Sequence, residues 1–193
     1  MKPPTYVASL MMSLLVLGAV SPLGAATKPT KPKTLLDFRE QDVERNGAEI
    51  TEKKRYGYSF GDWQGKITFL EGRGLLVPFV VNKGGFGGDK SLKLADYNAV
   101  ELVATIGNRN EATTFGLTLT DADGTEATWY LPLADRPRGA EQIYHLDLAR
   151  CDKEEKPGGT PGLDKAKIKK WQVKAGWQEK KIELLVVRLD AVP

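Results

Sequence analysis

The feature that most limits what this chain can become is a series of short apolar–polar alternations, each closed by a turn signal. NAVELVATIG (98–107) sets Val100, Leu102, Ala104 and Ile106 on one side, with Glu101, Val103 and Thr105 on the other. TTFGLTLT (113–120) sets Phe115, Leu117 and Leu119 against Thr114, Gly116, Thr118 and Thr120. TEATWYLPL (125–133) continues with Ala127, Trp129, Leu131 and Leu133, and EQIYHLDL (141–148) puts Tyr144, Leu146 and Leu148 opposite Ile143, His145 and Asp147. KITFL (66–70), GLLVPFVV (74–81) and KIELLVVRL (181–189) are further strand-like runs. Successive side chains of a strand point to opposite faces, so each segment has one face for a core and one for water. Many such strands at short spacing predict an all-β, antiparallel sandwich or barrel. Pro78 places its strand at an edge or a bulge. Only LDKAKIKKW (163–171) reads as a helical turn, with Asp164 as its cap.

DADG, Asp121 to Gly124, joins two segments that are both in strand register. Asp-Gly supplies the positive φ values that a tight hairpin needs. A calcium loop of the EF-hand type needs carboxylates at alternate positions before its glycine. Leu119 stands where that series would continue, so the stretch reads as a hairpin turn.

The amino terminus reads as a secretory signal, residues 1–26. Lys2 supplies the positive charge, residues 6–20 are apolar, and Gly24 and Ala26 suit cleavage after Ala26. The apolar run is shorter than the roughly 20 residues that span a bilayer, so stable membrane insertion after cleavage is not expected. TKPTKPK (27–33) reads as an extended linker, and 34–193 as one domain. The expected location is periplasmic or secreted.

The formal net charge of +3 is too balanced to argue for nucleic acid. The single cysteine, Cys151, cannot form an internal disulfide and reads as buried and inert. The only histidine, His145, would have to serve any Ser- or Cys-based nucleophile, and the serines after the leader are Ser59 and Ser91. No carboxylate pair stands out for acid–base work, and the chain reads as a non-enzyme. NKGGFGGDK (82–90) lacks Gly-Lys-Ser/Thr and reads as a flexible loop displaying Phe86. Lys165, Lys167, Lys169, Lys170, Lys174, Lys180 and Lys181, interleaved with Trp171 and Trp177, read first as a solvated face. The sharper reading is a patch for an acidic polymer.

Taken in order, GLLVPFVVNKGGFGG, LADYNAVELVATIGN, TTFGLTLTDADGTEATWYLPL and PGLDKAKIKKWQVKAGWQEKKIELLVVRLDAV form a familiar series. Leu94, Tyr97, Val100 and Leu102 make a strand entry. Asp121, Asp123 and Gly124 make the hairpin, and Leu163, Asp164 and Ile168 make a late turn. This pattern resembles the galactose-binding-like jelly rolls that include the complex I intermediate-associated protein 30 domain and family 11 carbohydrate-binding modules. The last strand departs from the family pattern, reading VVRLDAV with Arg188 and Asp190. The resemblance implies a β-sandwich of the jelly-roll type over about 34–192 and a non-catalytic domain with no cofactor, in which a structural calcium is common. Its partner would be a polysaccharide bound in a concave sheet face. The alternative is a protein partner on a domain of the same fold. If Trp129 fills the core, Tyr130 faces outward. Tyr130, Thr118, Glu101 and Arg188 then form the expected groove, with Trp63 and Phe86 in loops at its rim.

Overall fold

The computed structural model describes residues 28–39, 58–60, 68–70, 72–79, 85–159, 161–175 and 180–193. The expected leader, Trp63 and Trp177 lie outside them. The described elements are β1 (Lys33–Asp37), β2 (Tyr58–Phe60), β3 (Thr68–Leu70), β4 (Gly74–Phe79), β5 (Gly85–Leu92), β6 (Ala99–Ile106), β7 (Thr114–Asp121), β8 (Glu126–Pro132), β9 (Glu141–Asp147), β10 (Lys153–Glu155), β11 (Ile168–Ala175) and β12 (Ile182–Val192). A 3-10 turn, Lys165–Lys167, precedes β11, and the Asp164 side chain caps it by accepting the Ala166 N–H. Among the described residues no helix is long and apolar enough to cross a membrane.

Every strand pairing is antiparallel. The first sheet runs β3-β4-β12-β6-β9, with β1 also on β12, and the second runs β10-β8-β7-β11-β5-β2. Successive strands change sheet after β1, β2, β4, β5, β6, β8, β9 and β11, which makes a β-sandwich of the jelly-roll type. β12 is the hub of the first sheet. One edge pairs with β6, and the other pairs with β4 up to Val186 and with β1 from Arg188 onward. A register shift between Val186 and Arg188 marks the change of neighbour.

The core lies between the sheets, where the alternation put it. Val100, Leu102, Ala104 and Ile106 of β6 face Phe115, Leu117 and Leu119 of β7, all buried. Each fully buried side chain of this size contributes about 1.5–3 kcal/mol. Phe115 packs edge-on against Tyr144 with ring centroids 5.2 Å apart, and Phe38 packs on Trp171 at 5.6 Å. Trp129 is a core residue, as expected, and its indole N–H donates to the carbonyls of Asp147 (2.9 Å) and Arg150 (3.0 Å).

Two expectations are corrected. From Gly85 onward the glycine-rich stretch is no loop: Gly85–Leu92 is strand β5, held between β11 and β2. Gly87 is required there, because a Cβ at that position would run into the Trp171 carbonyl and lie 2.8 Å from Cγ of Gln172. The expected helical turn over 163–171 shrinks to Lys165–Lys167, and Ile168 onward is strand. A smaller difference concerns Cys151, which is half-buried. Burial, with help from the Glu154 charge, pushes its thiol pKa up, so it stays protonated at neutral pH.

Candidate functional site

The outer face of the second sheet is built by residues that alternate with core positions. On β11, Trp171 and Val173 are buried in the core, so Lys170, Gln172 and Lys174 point outward. The register then sets rows across the sheet. Gln172 stands beside Gly87 on one side and Thr118 on the other, and Thr118 stands beside Thr128, which in turn pairs with Lys153. In the flanking rows, Lys174 stands beside Gly116 and then Tyr130, while Lys170 stands beside Thr120 and then Glu126.

These rows give a polar floor with raised sides. Thr118 and Gln172 are only 0% and 4% exposed although they face away from the core. The Thr118 and Thr128 hydroxyls share a 2.8 Å hydrogen bond. Lys174 reaches diagonally across the Thr118 row to Glu126, Nζ to Oε2 at 3.0 Å, and so shields the threonines. The buried Thr120 hydroxyl has no partner among the described residues. Tyr130 stands at one end of the face, 38% exposed, and its backbone N–H donates to Asp152 Oδ2 at 2.6 Å. Beyond the other end, a basin of about 550 Å³ is lined by Gly124, Glu126, Glu155, Lys156 and Pro157.

The expected groove residues divide between the sheets. Tyr130 and Thr118 share the face just described, whereas Glu101 and Arg188 lie on the outer face of the first sheet, on the opposite side of the core. There Arg188 Nε donates to Asp190 Oδ2 at 2.7 Å, Asp190 accepts the Thr34 hydroxyl at 2.8 Å, and Glu101 meets His145 Nδ1 at 3.2 Å. Arg188 is thus paired with Asp190, and Glu101 with His145, on that face. Phe86 belongs to β5, with its backbone paired to Val173 and Ser59. Gln172 was missed. Its signal is the short Trp171-Gln172-Val173-Lys174 alternation, hidden inside a lysine-rich stretch.

DADG is a hairpin turn. Gly124 has φ +86°, and Asp121 Oδ1 accepts the N–H groups of Asp123 and Thr125, each at 2.9 Å. Asp121 Oδ2 accepts the Asp164 N–H at 2.9 Å, which ties the hairpin to the turn before β11. Burial alone would raise the Asp121 pKa, but the three N–H donors outweigh it and hold the carboxyl below its ordinary value. These oxygens are committed to backbone, and Asp164 is engaged by Ala166 N–H and Lys167, so the loop does not fit a calcium site. Among the described residues no group of three or more His, Cys, Asp or Glu side chains could hold a metal ion.

No protein-family model matches the chain, and no curated protein is similar to it in sequence. Solved structures are similar in fold. One is the family 11 carbohydrate-binding module of the cellulosomal cellulase Lic26A-Cel5E of Clostridium thermocellum, with a TM-score of 0.55 and 15% identity over 84% of this chain and 94% of that one. In fold, the chain is similar to family 11 carbohydrate-binding modules. A second structure of such a module from Clostridium thermocellum, in complex with a β-1,3-1,4-mixed-linked tetrasaccharide, has a TM-score of 0.55 and 15% identity over 83% of this chain and 95% of that one. The agarase AgWH50C matches with a TM-score of 0.56 and 13% identity over 84% of this chain, which spans only 25% of the agarase. Identities this low carry the fold alone.

Proposed function

We propose that this chain is an exported, non-catalytic module that binds a polysaccharide on the outer face of the second sheet. The observation that carries the reading is the polar floor of Gln172, Thr118 and Thr128, shielded yet facing outward, with Tyr130 exposed at its end. Sugar rings present flat C–H faces that pack on an aromatic ring, and their hydroxyls pair with amide, hydroxyl and charged groups. Gln172, Lys170 and Lys174 of β11 and Glu126 of β8 supply such groups on either side of Thr118 on β7. The jelly-roll fold shared with carbohydrate-binding modules supports the same reading. The test is a glycan array with the purified protein, followed by titration of hits against Tyr130→Ala and Gln172→Ala. Each substitution should weaken binding about tenfold or more. Retention of full affinity by both variants would sink the reading.

A protein partner is the second reading, and Ile143 favours it. This side chain is 54% exposed on β9, the edge strand of the first sheet. Ile143→Asp should leave glycan binding intact and abolish capture of a protein partner.

A further inference from the structure

At the end of the sandwich where β6 gives way to β7, a feature stands apart from the sugar-binding face. A shallow basin of about 610 Å³ is lined by Asn108, Arg109, Asn110, Glu111, Arg138 and Lys181. Arg109, Arg138 and Lys181 bring positive charge to it, and Glu111 brings negative charge.

The cations are set in place by the fold. Glu183 is a buried carboxylate on β12, and it accepts Arg109 Nε at 2.8 Å, Arg109 Nη2 at 2.6 Å and the Arg109 backbone N–H at 3.3 Å. Buried Asn110 braces the same point, accepting the Glu183 N–H at 3.2 Å and donating to the Ala112 carbonyl at 2.8 Å. Gly107 leaves the space, since a Cβ there would run into the Glu183 carboxylate. The Arg109 guanidinium is therefore fixed while its side chain stays 68% exposed. Arg138 Nη1 donates to the Asn108 carbonyl at 2.7 Å, and the following Gly139 N–H donates to the Ile106 carbonyl at 2.9 Å. The Lys181 carbonyl accepts the N–H groups of Glu111 (2.8 Å) and Ala112 (3.1 Å), which fixes where its side chain begins. Glu183 balances Arg109, and Arg138 and Lys181 then outweigh Glu111.

We propose that this basin binds an oxyanion: the sulfate ester or carboxylate of an acidic saccharide, or the free inorganic ion. A guanidinium presents coplanar N–H donors that match two oxygens of such a group. Arginines held in position beforehand lose little side-chain freedom on binding. A neutral sugar carries no charge for this basin to recognise.

The test titrates the purified protein with sodium sulfate, glucose 6-sulfate, glucuronate and glucose, followed by calorimetry and by amide NMR shifts. Sulfate and the charged sugars should bind, glucose should not, and shifts should concentrate at residues 107–112, 138 and 139. Raised sodium chloride should weaken binding. Arg138→Gln and Lys181→Gln should each cost about tenfold in affinity, while Lys156→Gln, in the other basin, should change nothing. Arg109 is left intact because its loss strands the Glu183 charge. A sugar sulfate that binds tighter than free sulfate identifies a saccharide as the source, and equal affinity identifies the free ion. The proposal is overturned if no oxyanion shifts the 107–112 amides at millimolar concentration, or if both variants keep wild-type affinity. Tyr130→Ala separates the two sites: it should leave sulfate binding untouched whatever it does to neutral glycans.

Discussion

Asp121→Ala removes one side chain and releases three backbone N–H groups, those of Asp123, Thr125 and Asp164. Their costs differ by position. Asp123 is exposed, so its N–H passes to water at little cost. Thr125 is fully buried, and its N–H is left without its side-chain acceptor, worth about 2–3 kcal/mol. Asp164 is half-buried, and its bond adds about 1–2 kcal/mol. The sum is about 3–5 kcal/mol, a large share of the roughly 5–15 kcal/mol that holds a domain folded. At about 2–4 °C per kcal/mol for a chain of this size, the melting temperature should fall by about 6–20 °C. Urea unfolding at pH 7 measures the free energy directly. The acid limb supplies a second check with a definite sign. The folded Asp121 carboxyl has a pKa below its ordinary 3.8, so its stabilisation is complete above that value and is lost as pH falls through the lower, folded value. The gap between wild type and Asp121→Ala should therefore narrow below about pH 4. A loss under 1 kcal/mol at pH 7, or a gap that stays constant into strong acid, would refute the reasoning.

Trp129→Phe keeps an aromatic side chain but shrinks it and withdraws the indole donor from the Asp147 and Arg150 carbonyls, and should cost about 1–3 kcal/mol or more in urea unfolding. Gly87→Ala drives a methyl into the Trp171 carbonyl and against Gln172. It should lower stability by about 2 kcal/mol or more and weaken glycan affinity at the same time. Thermal melts beside glycan titration of the same sample check both, and a Gly87→Ala protein normal in each would remove Gly87 from the account of the site.

The sequence made the paired strands legible where alternation runs unbroken. β6, β7, β8 and β9 sit where their patterns place them, and Trp129 and Tyr130 face the sides expected of them. β1, β2, β5, β10 and β11 escaped, the longest two, β5 and β11, for physical reasons. β5 contains Gly85, Gly87 and Gly88, which are weak strand formers, and Gly87 is there because another backbone comes too close for any side chain. β11 carries a register shift between Ile168 and Lys170, so Ile168 and Trp171 both reach the core at a spacing that mimics a helical period. The candidate site was half legible. Alternation tells which face of its own strand a residue occupies, but not which sheet that strand joins. Glu101 and Arg188 therefore grouped with Tyr130 on paper and lie across the core from it in the fold.

β12 stands at the centre of the first sheet, between β6 on one edge and β4 and β1 on the other. Of the described strands it is the last to be synthesised, and its partners β1, β4 and β6 all lie far before it in the sequence. Thr34 and Asp190, bonded to each other, are 156 residues apart in sequence. Until β12 has emerged, β1, β4 and β6 have no central strand to join, so the first sheet cannot close before then. Such long-range pairing makes folding slow. The order of the described strands thus leaves the first sheet in separate parts, β3-β4 and β6-β9, until β12 joins them.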